Sequence, residues 1–165
     1  MKRSASFILL TLVAFAGCRS IRTAKSLDTL REVKIERGTI LTLGGKMPPT
    51  TDFCNWSGAV CTLKPNTFGG TESMSLSETE TGQISQFHFY YGLMSIDMVD
   101  AQINDYTRLI GKPPRDSKVK IGEIDVHRVK WTDSTTTFEL TYKSDQQQIE
   151  GSATLSDNSL TKPND

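Results

Sequence analysis

The sequence predicts an α+β domain: a mostly antiparallel sheet with one main amphipathic helix, about residues 95–111, packed on one face. Three observations predict it. A single stretch, Ser95 to Gly111, has both helical period and helix caps. The stretches on either side alternate apolar and polar residues at period two, as half-buried strands do. Gly, Pro, Asn and Asp clusters cut those stretches into strand-sized pieces, and strands before and after one helix suit a sheet with a helix on one face.

The chain opens on an address. Lys2 and Arg3 form a basic start. Phe7 to Phe15 is apolar except for Thr11, and Ala16 and Gly17 are small. This is the layout of a secretory signal peptide, and the run falls short of the about 20 residues a membrane-spanning helix needs. Ala16-Gly17-Cys18 resembles the lipobox of bacterial lipoproteins, whose cysteine is lipidated and becomes the mature N-terminus. Phe15 stands where that family usually has an aliphatic residue. The resemblance covers residues 1–18 and implies lipidation at Cys18. Arg19, in place of the Asp that retains such proteins at the inner membrane, implies the outer membrane and a periplasm-facing domain. Ala14-Phe15-Ala16 is also a site for ordinary signal peptidase, whose cut would leave a soluble secreted or periplasmic protein.

The expected organisation is a signal peptide over 1–17, a lipid-anchored tether over 18–32, one domain over 33–157 and a polar tail over 158–165. Val33 and Ile35, then Ile40, Leu41 and Leu43, read as two strands turning at Arg37-Gly38. Residues 44–52 form a loop. CNWSGAVC, folded about Ser57-Gly58, sets Asn55 opposite Val60 and Cys54 opposite Cys61, within bridging distance for a disulfide. The chain has three cysteines, so lipid on Cys18 leaves Cys54 and Cys61 as a pair in an oxidising compartment.

Met74, Leu76 and Glu78 alternate ahead of a turn at Glu80-Thr81-Gly82. From Ile84 to Tyr91, Phe87, Phe89 and Tyr91 share one face; Gln86, His88 and Tyr90 share the other. The helix follows. Ser95 is its N-cap, Asp97 and Asp100 suit its start, and Ile96, Val99, Ile103, Tyr106 and Ile110 form one stripe. Gly111 and Pro113-Pro114 end it. Val119–Trp131 then reads as strand with phase slips near Gly122-Glu123 and His127-Arg128, which suggests a turn or bulges. Phe138–Tyr142 and Ile149–Leu155 alternate strictly, and Trp131 belongs with Val129 in the core.

Around Tyr106–Trp131, YTRLIGKPP followed by strands is similar to the small periplasmic domains of the assembly lipoprotein BamE and of β-lactamase-inhibitor-like proteins. The similarity spans about 35 residues of this kind of helix-end chemistry. Those families usually place helices before the sheet. No functional residue is carried over.

Charge bounds the partners. Without residues 1–17 the chain has 17 basic and 19 acidic residues, which predicts neither nucleic-acid binding nor global attraction to anionic lipid. Pro65 to Thr107 contains six acids and no Lys or Arg, whereas Arg108 to Lys130 contains seven basic residues and three acids. No nucleophile elbow, phosphate-binding glycine loop or metal-ligand spacing occurs. No catalytic residue, metal or cofactor is therefore expected, and the chain reads as a non-catalytic module that binds an envelope protein. Trp56 beside a turn, with His88 and Tyr90 on one strand face, are the candidate contact residues. Two alternatives remain. One is a periplasmic inhibitor or immunity protein against a lytic enzyme or toxin. The other is a small hydrolase built on His127.

Overall fold

A computed structural model describes residues 26–35, 38–48, 55–57, 60–63, 70–145 and 148–161. The signal peptide, Cys18 and Cys54 lie outside these residues. The architecture is α+β as expected, with ten strands in two sheets and one α-helix among the described residues.

A 3-10 turn, Leu27–Leu30, is capped by Ser26, whose hydroxyl accepts from the Asp28 amide at 3.0 Å. It leads into β1 (Glu32–Lys34) and β2 (Ile40–Thr42), an antiparallel pair in which Val33 faces Leu41. Gly38 turns between them at φ 82°, a conformation glycine adopts without Cβ strain. Leu27, Leu30, Val33, Ile35, Leu41 and Leu43 are all buried. The expected tether boundary is thus corrected: residues 26–32 belong to the domain, because Leu27 and Leu30 enter its core.

The remaining strands are β3 (Asn55–Ser57), β4 (Val60–Leu63), β5 (Ser73–Glu78), β6 (Ile84–Met94), β7 (Arg115–Ile121), β8 (Ile124–Thr132), β9 (Thr136–Ser144) and β10 (Ile149–Asp157). They form one antiparallel sheet in the order β3-β4-β5-β6-β10-β9-β8-β7. Most neighbours are hairpins. The exception is β6 beside β10, which inserts the last strand between the halves of the chain.

The alternation read from sequence sets the two faces. Met74, Leu76, Phe87, Phe89, Val129, Trp131, Phe138, Leu140, Tyr142, Ala153 and Leu155 fill the inner face. Helix α1 (Ile96–Ile110) lies on that face. Ser95 caps it by accepting from the Met98 amide at 3.3 Å, and Gly111 closes it at φ 77°. Val99 and Ile110 are buried, and Ile103 and Tyr106 pack on the core; Ile96 stays 67% exposed and drops out of the expected stripe. Each buried aliphatic contributes about 1.5–3 kcal/mol. The Tyr106 ring sits 4.6 Å from that of Phe138, and the Trp131 indole donates to the Lys112 carbonyl at 3.1 Å.

Gly122-Glu123 forms the β7–β8 turn, but no bulge occurs at His127-Arg128. The register of β8 is continuous with both neighbours. The phase slip arises because Val126 belongs to the outer face, opposite Val119, while Val129 and Trp131 point inward. The true irregularities lie between β6 and β10 at Gly151/Ser152 and between β5 and β6 at Ser77/Glu78. Gly92, at φ 72°, serves the first of these.

The two ends of the domain are tied together. Arg31 donates to Thr136 Oγ1 at 2.8 Å and to the Leu43 carbonyl at 2.9 Å, and forms an ion pair with Asp157. Asp157 also accepts from the Ser159 amide at 2.9 Å. Asp133 accepts from the amides of Leu27, Thr135 and Thr136. Residues 158–161 of the expected tail are held too: Asn158 donates to the Thr135 carbonyl at 2.8 Å, and Leu160 and Thr161 bond to Asp157.

Candidate functional site

The outer face of the sheet carries two of the three predicted contact residues. His88 and Tyr90 share it with Gln86, as the alternation requires. Ser73, Ser75 and Ser77 of β5 lie on one side of β6, and Ser152, Thr154 and Ser156 of β10 on the other. Across these three strands the field between Ser73 and Ser156 is uncharged. Tyr90, 40% exposed, stands between Ser73 and Ser152 and borders a shallow depression of about 330 Å³.

His88 is half-buried rather than a free surface side chain. Its Nε2 lies 3.4 Å from Ser77 Oγ and its Nδ1 3.3 Å from Thr154 Oγ1. Burial lowers its pKa, so the imidazole stays neutral and the hydroxyl field stays uncharged near pH 7. Gln86 donates to Ser156 at 3.1 Å. The chemistry available is hydrogen bonding from many short hydroxyls around one aromatic ring.

Trp56 lies in β3, on the sheet edge, one residue before the ladder closes at Ser57–Val60. The predicted cysteine register is corrected there. Cys61 pairs with Trp56, and Asn55 pairs with Thr62 rather than Val60, because Ser57 itself joins the ladder opposite Val60. Cys54 itself is outside the described residues.

A second concavity lies on the inner side, between α1, the 3-10 turn and β1. It measures about 630 Å³. Leu30, Met94, Met98 and Leu109 line it together with Tyr91 and Tyr106, whose hydroxyls are 3.1 Å apart. Burial pushes the Tyr91 phenol up to about 12 against the opposing bond from Tyr106, and burial with the neighbouring Tyr91 pushes Tyr106 up as well. Both remain neutral at any physiological pH. No local pattern announces this cleft, since its lining comes from segments far apart in the chain.

His127 meets an acid: its Nε2 is 2.9 Å from Asp116 Oδ1, across the β7–β8 ladder, and its ring lies 5.8 Å from that of Tyr142. Asp116 is exposed and the pair sits at the sheet edge, in neither concavity. The acids of 65–107 are divided between the helix and the ends of β5, with Asp97, Asp100 and Asp105 on α1. Among the described residues no cluster of three or more His, Cys, Asp or Glu could hold a metal, and no helix is long and apolar enough to cross a membrane. The chain matches no protein-family model, no curated protein and no solved structure.

Proposed function

We propose that this chain is an outer-membrane-anchored lipoprotein of the bacterial envelope, held by lipid on Cys18, whose domain is a non-catalytic protein-binding module. One observation carries the binding reading. The outer sheet face presents an uncharged field of Ser, Thr, Gln and neutral His around the exposed Tyr90. Depletion of charge with a central aromatic is what separates the core of a protein interface from ordinary surface. The charged outer-face residues Arg128, Lys130, Glu139 and Lys143 lie beyond it on β8 and β9, where they would form a polar rim.

The anchor rests on the lipobox resemblance. Arg19, Arg22 and Lys25 would lie between the lipid and the first packed residue, Ser26.

A photocrosslinking residue placed at Tyr90 in cells tests the surface, with Lys120 on the edge strand as control. The expected result is a discrete crosslinked protein at Tyr90 that Ser152→Arg abolishes. A Tyr90 pattern no different from that at Lys120 removes the proposal. The identity of the captured protein separates a resident envelope complex from the lytic enzyme or toxin that an inhibitor would meet. Fractionation of Cys18→Ser tests the anchor: retention in the outer membrane would show that lipid at Cys18 is not what holds the protein.

A further inference from the structure

We propose that the cleft between α1, the 3-10 turn and β1 is a second binding site, for a small amphiphile that combines an apolar body with a protonated amine. This site is independent of the outer sheet face.

Its size is the first argument. About 630 Å³ falls inside the range of about 300–1,000 Å³ in which pockets enclose drug-sized ligands. Its walls are the second. Met94 and Met98 are adaptable thioethers, and Met98 and Leu109 stay 53% and 44% exposed although they lie on the helix that covers the core. An apolar body entering the cleft would remove them from water.

Charge selects the head group. Among the described residues of the lining, Glu32 and Asp105 are the charged ones. Arg108 pairs with Asp105, while Glu32 makes no ion pair among the described residues. The rings of Tyr91 and Tyr106 also line the cleft, and an aromatic ring attracts a cation over its face. An anion would meet the Glu32 carboxylate, and the Arg108 guanidinium is already taken by Asp105. A neutral alcohol would gain the walls but neither the carboxylate nor the rings.

The test uses the full chain carrying Cys18→Ser, exported and purified without detergent, in calorimetric titrations with decylammonium, decanol and decyl sulfate below their micelle concentrations. Decylammonium is expected to bind one-to-one and at least about fivefold more tightly than decanol, from one exposed carboxylate and the tyrosine rings. Decyl sulfate is expected to bind weakest. Ala101→Trp fills the cleft from an exposed helix position and should abolish binding while leaving the thermal unfolding midpoint near that of the parent. Glu32→Gln should reduce the preference of ammonium over alcohol and leave decanol binding unchanged. The proposal is overturned if decylammonium does not bind, if decyl sulfate binds as tightly, or if Ala101→Trp folds and still binds.

Discussion

Replacing Arg31 with Met asks how much the clasp between the two ends of the domain is worth. The methionine keeps an unbranched apolar stem and removes the guanidinium. Arg31 and Asp157 side chains are 20% and 7% exposed, so the carboxylate left behind is largely cut off from water. Removing one partner of a buried pair costs about 3–5 kcal/mol. Ser159 still donates to Asp157, and Arg31 is partly solvated, which brings the expected loss to about 2–3 kcal/mol. The sign with pH follows from the carboxyl. Desolvation raises the pKa of Asp157, but the Ser159 and Arg31 bonds outweigh it and hold the group below its ordinary value. The stability it contributes is therefore complete above that ordinary value and is lost as pH falls through the lower folded value. Urea unfolding followed by far-ultraviolet circular dichroism, at pH 7 and in steps to below about pH 3, should show the gap between parent and Arg31→Met closing in acid. Asp133, also lowered although burial opposes it, contributes to both proteins alike and cancels in the difference. A gap under about 0.5 kcal/mol at pH 7, the worth of an exposed pair, or a gap that persists unchanged in acid would refute the reasoning.

Three further outcomes are expected. Leu27→Ala should cost about 2–4 kcal/mol in the same unfolding assay, because a fully buried side chain is truncated; no loss would return Leu27 to the tether. Gly92→Ala should destabilise by about 1–3 kcal/mol, since φ is 72° and a Cβ there would overlap the Glu72 carboxylate; Glu72→Ala should relieve the overlap and leave the backbone strain, so a double variant no better than the single one would count against the overlap. His88→Gln should flatten the stability profile between about pH 7 and 5: the lowered imidazole favours its neutral form in the folded state, so its contribution is present above the ordinary histidine value and lost as pH falls through the folded one. A slope unchanged by the substitution would show that another group titrates.

Elements and faces were legible where the chemistry is local. Ser95 and Gly111 bracket the helix because a hydroxyl can take the orphan amide and a glycine can take positive φ. Phe87, Phe89 and Tyr91 point inward, and His88 and Tyr90 outward, because side chains alternate along a strand. The errors lie where a local pattern has two solutions. Val126 and Val129 looked like a bulge, yet the register is continuous and both faces of β8 bury a valine. The cysteine hairpin reads as turning about Ser57-Gly58, yet Ser57 pairs with Val60 and Cys61 with Trp56, because residues of either parity can extend a two-stranded ladder. Leu27 and Leu30 in a basic segment gave too short a pattern to announce a core contact.

The sequence by itself determined the element types, the cap residues and the two faces of each strand. These follow from properties of neighbouring residues: apolar runs, period, and which side chains reach their own backbone. Only the tertiary structure decided that β10 enters between β6 and β9, and so that Ser152 and Thr154 join His88 and Tyr90 in one uncharged field. It also decided that Arg31 meets Asp157, and that the segment at Leu30 closes a cleft against α1. Such contacts join positions far apart in the chain. They are set by which apolar faces bury one another best, a condition on the whole fold that no short stretch of sequence contains.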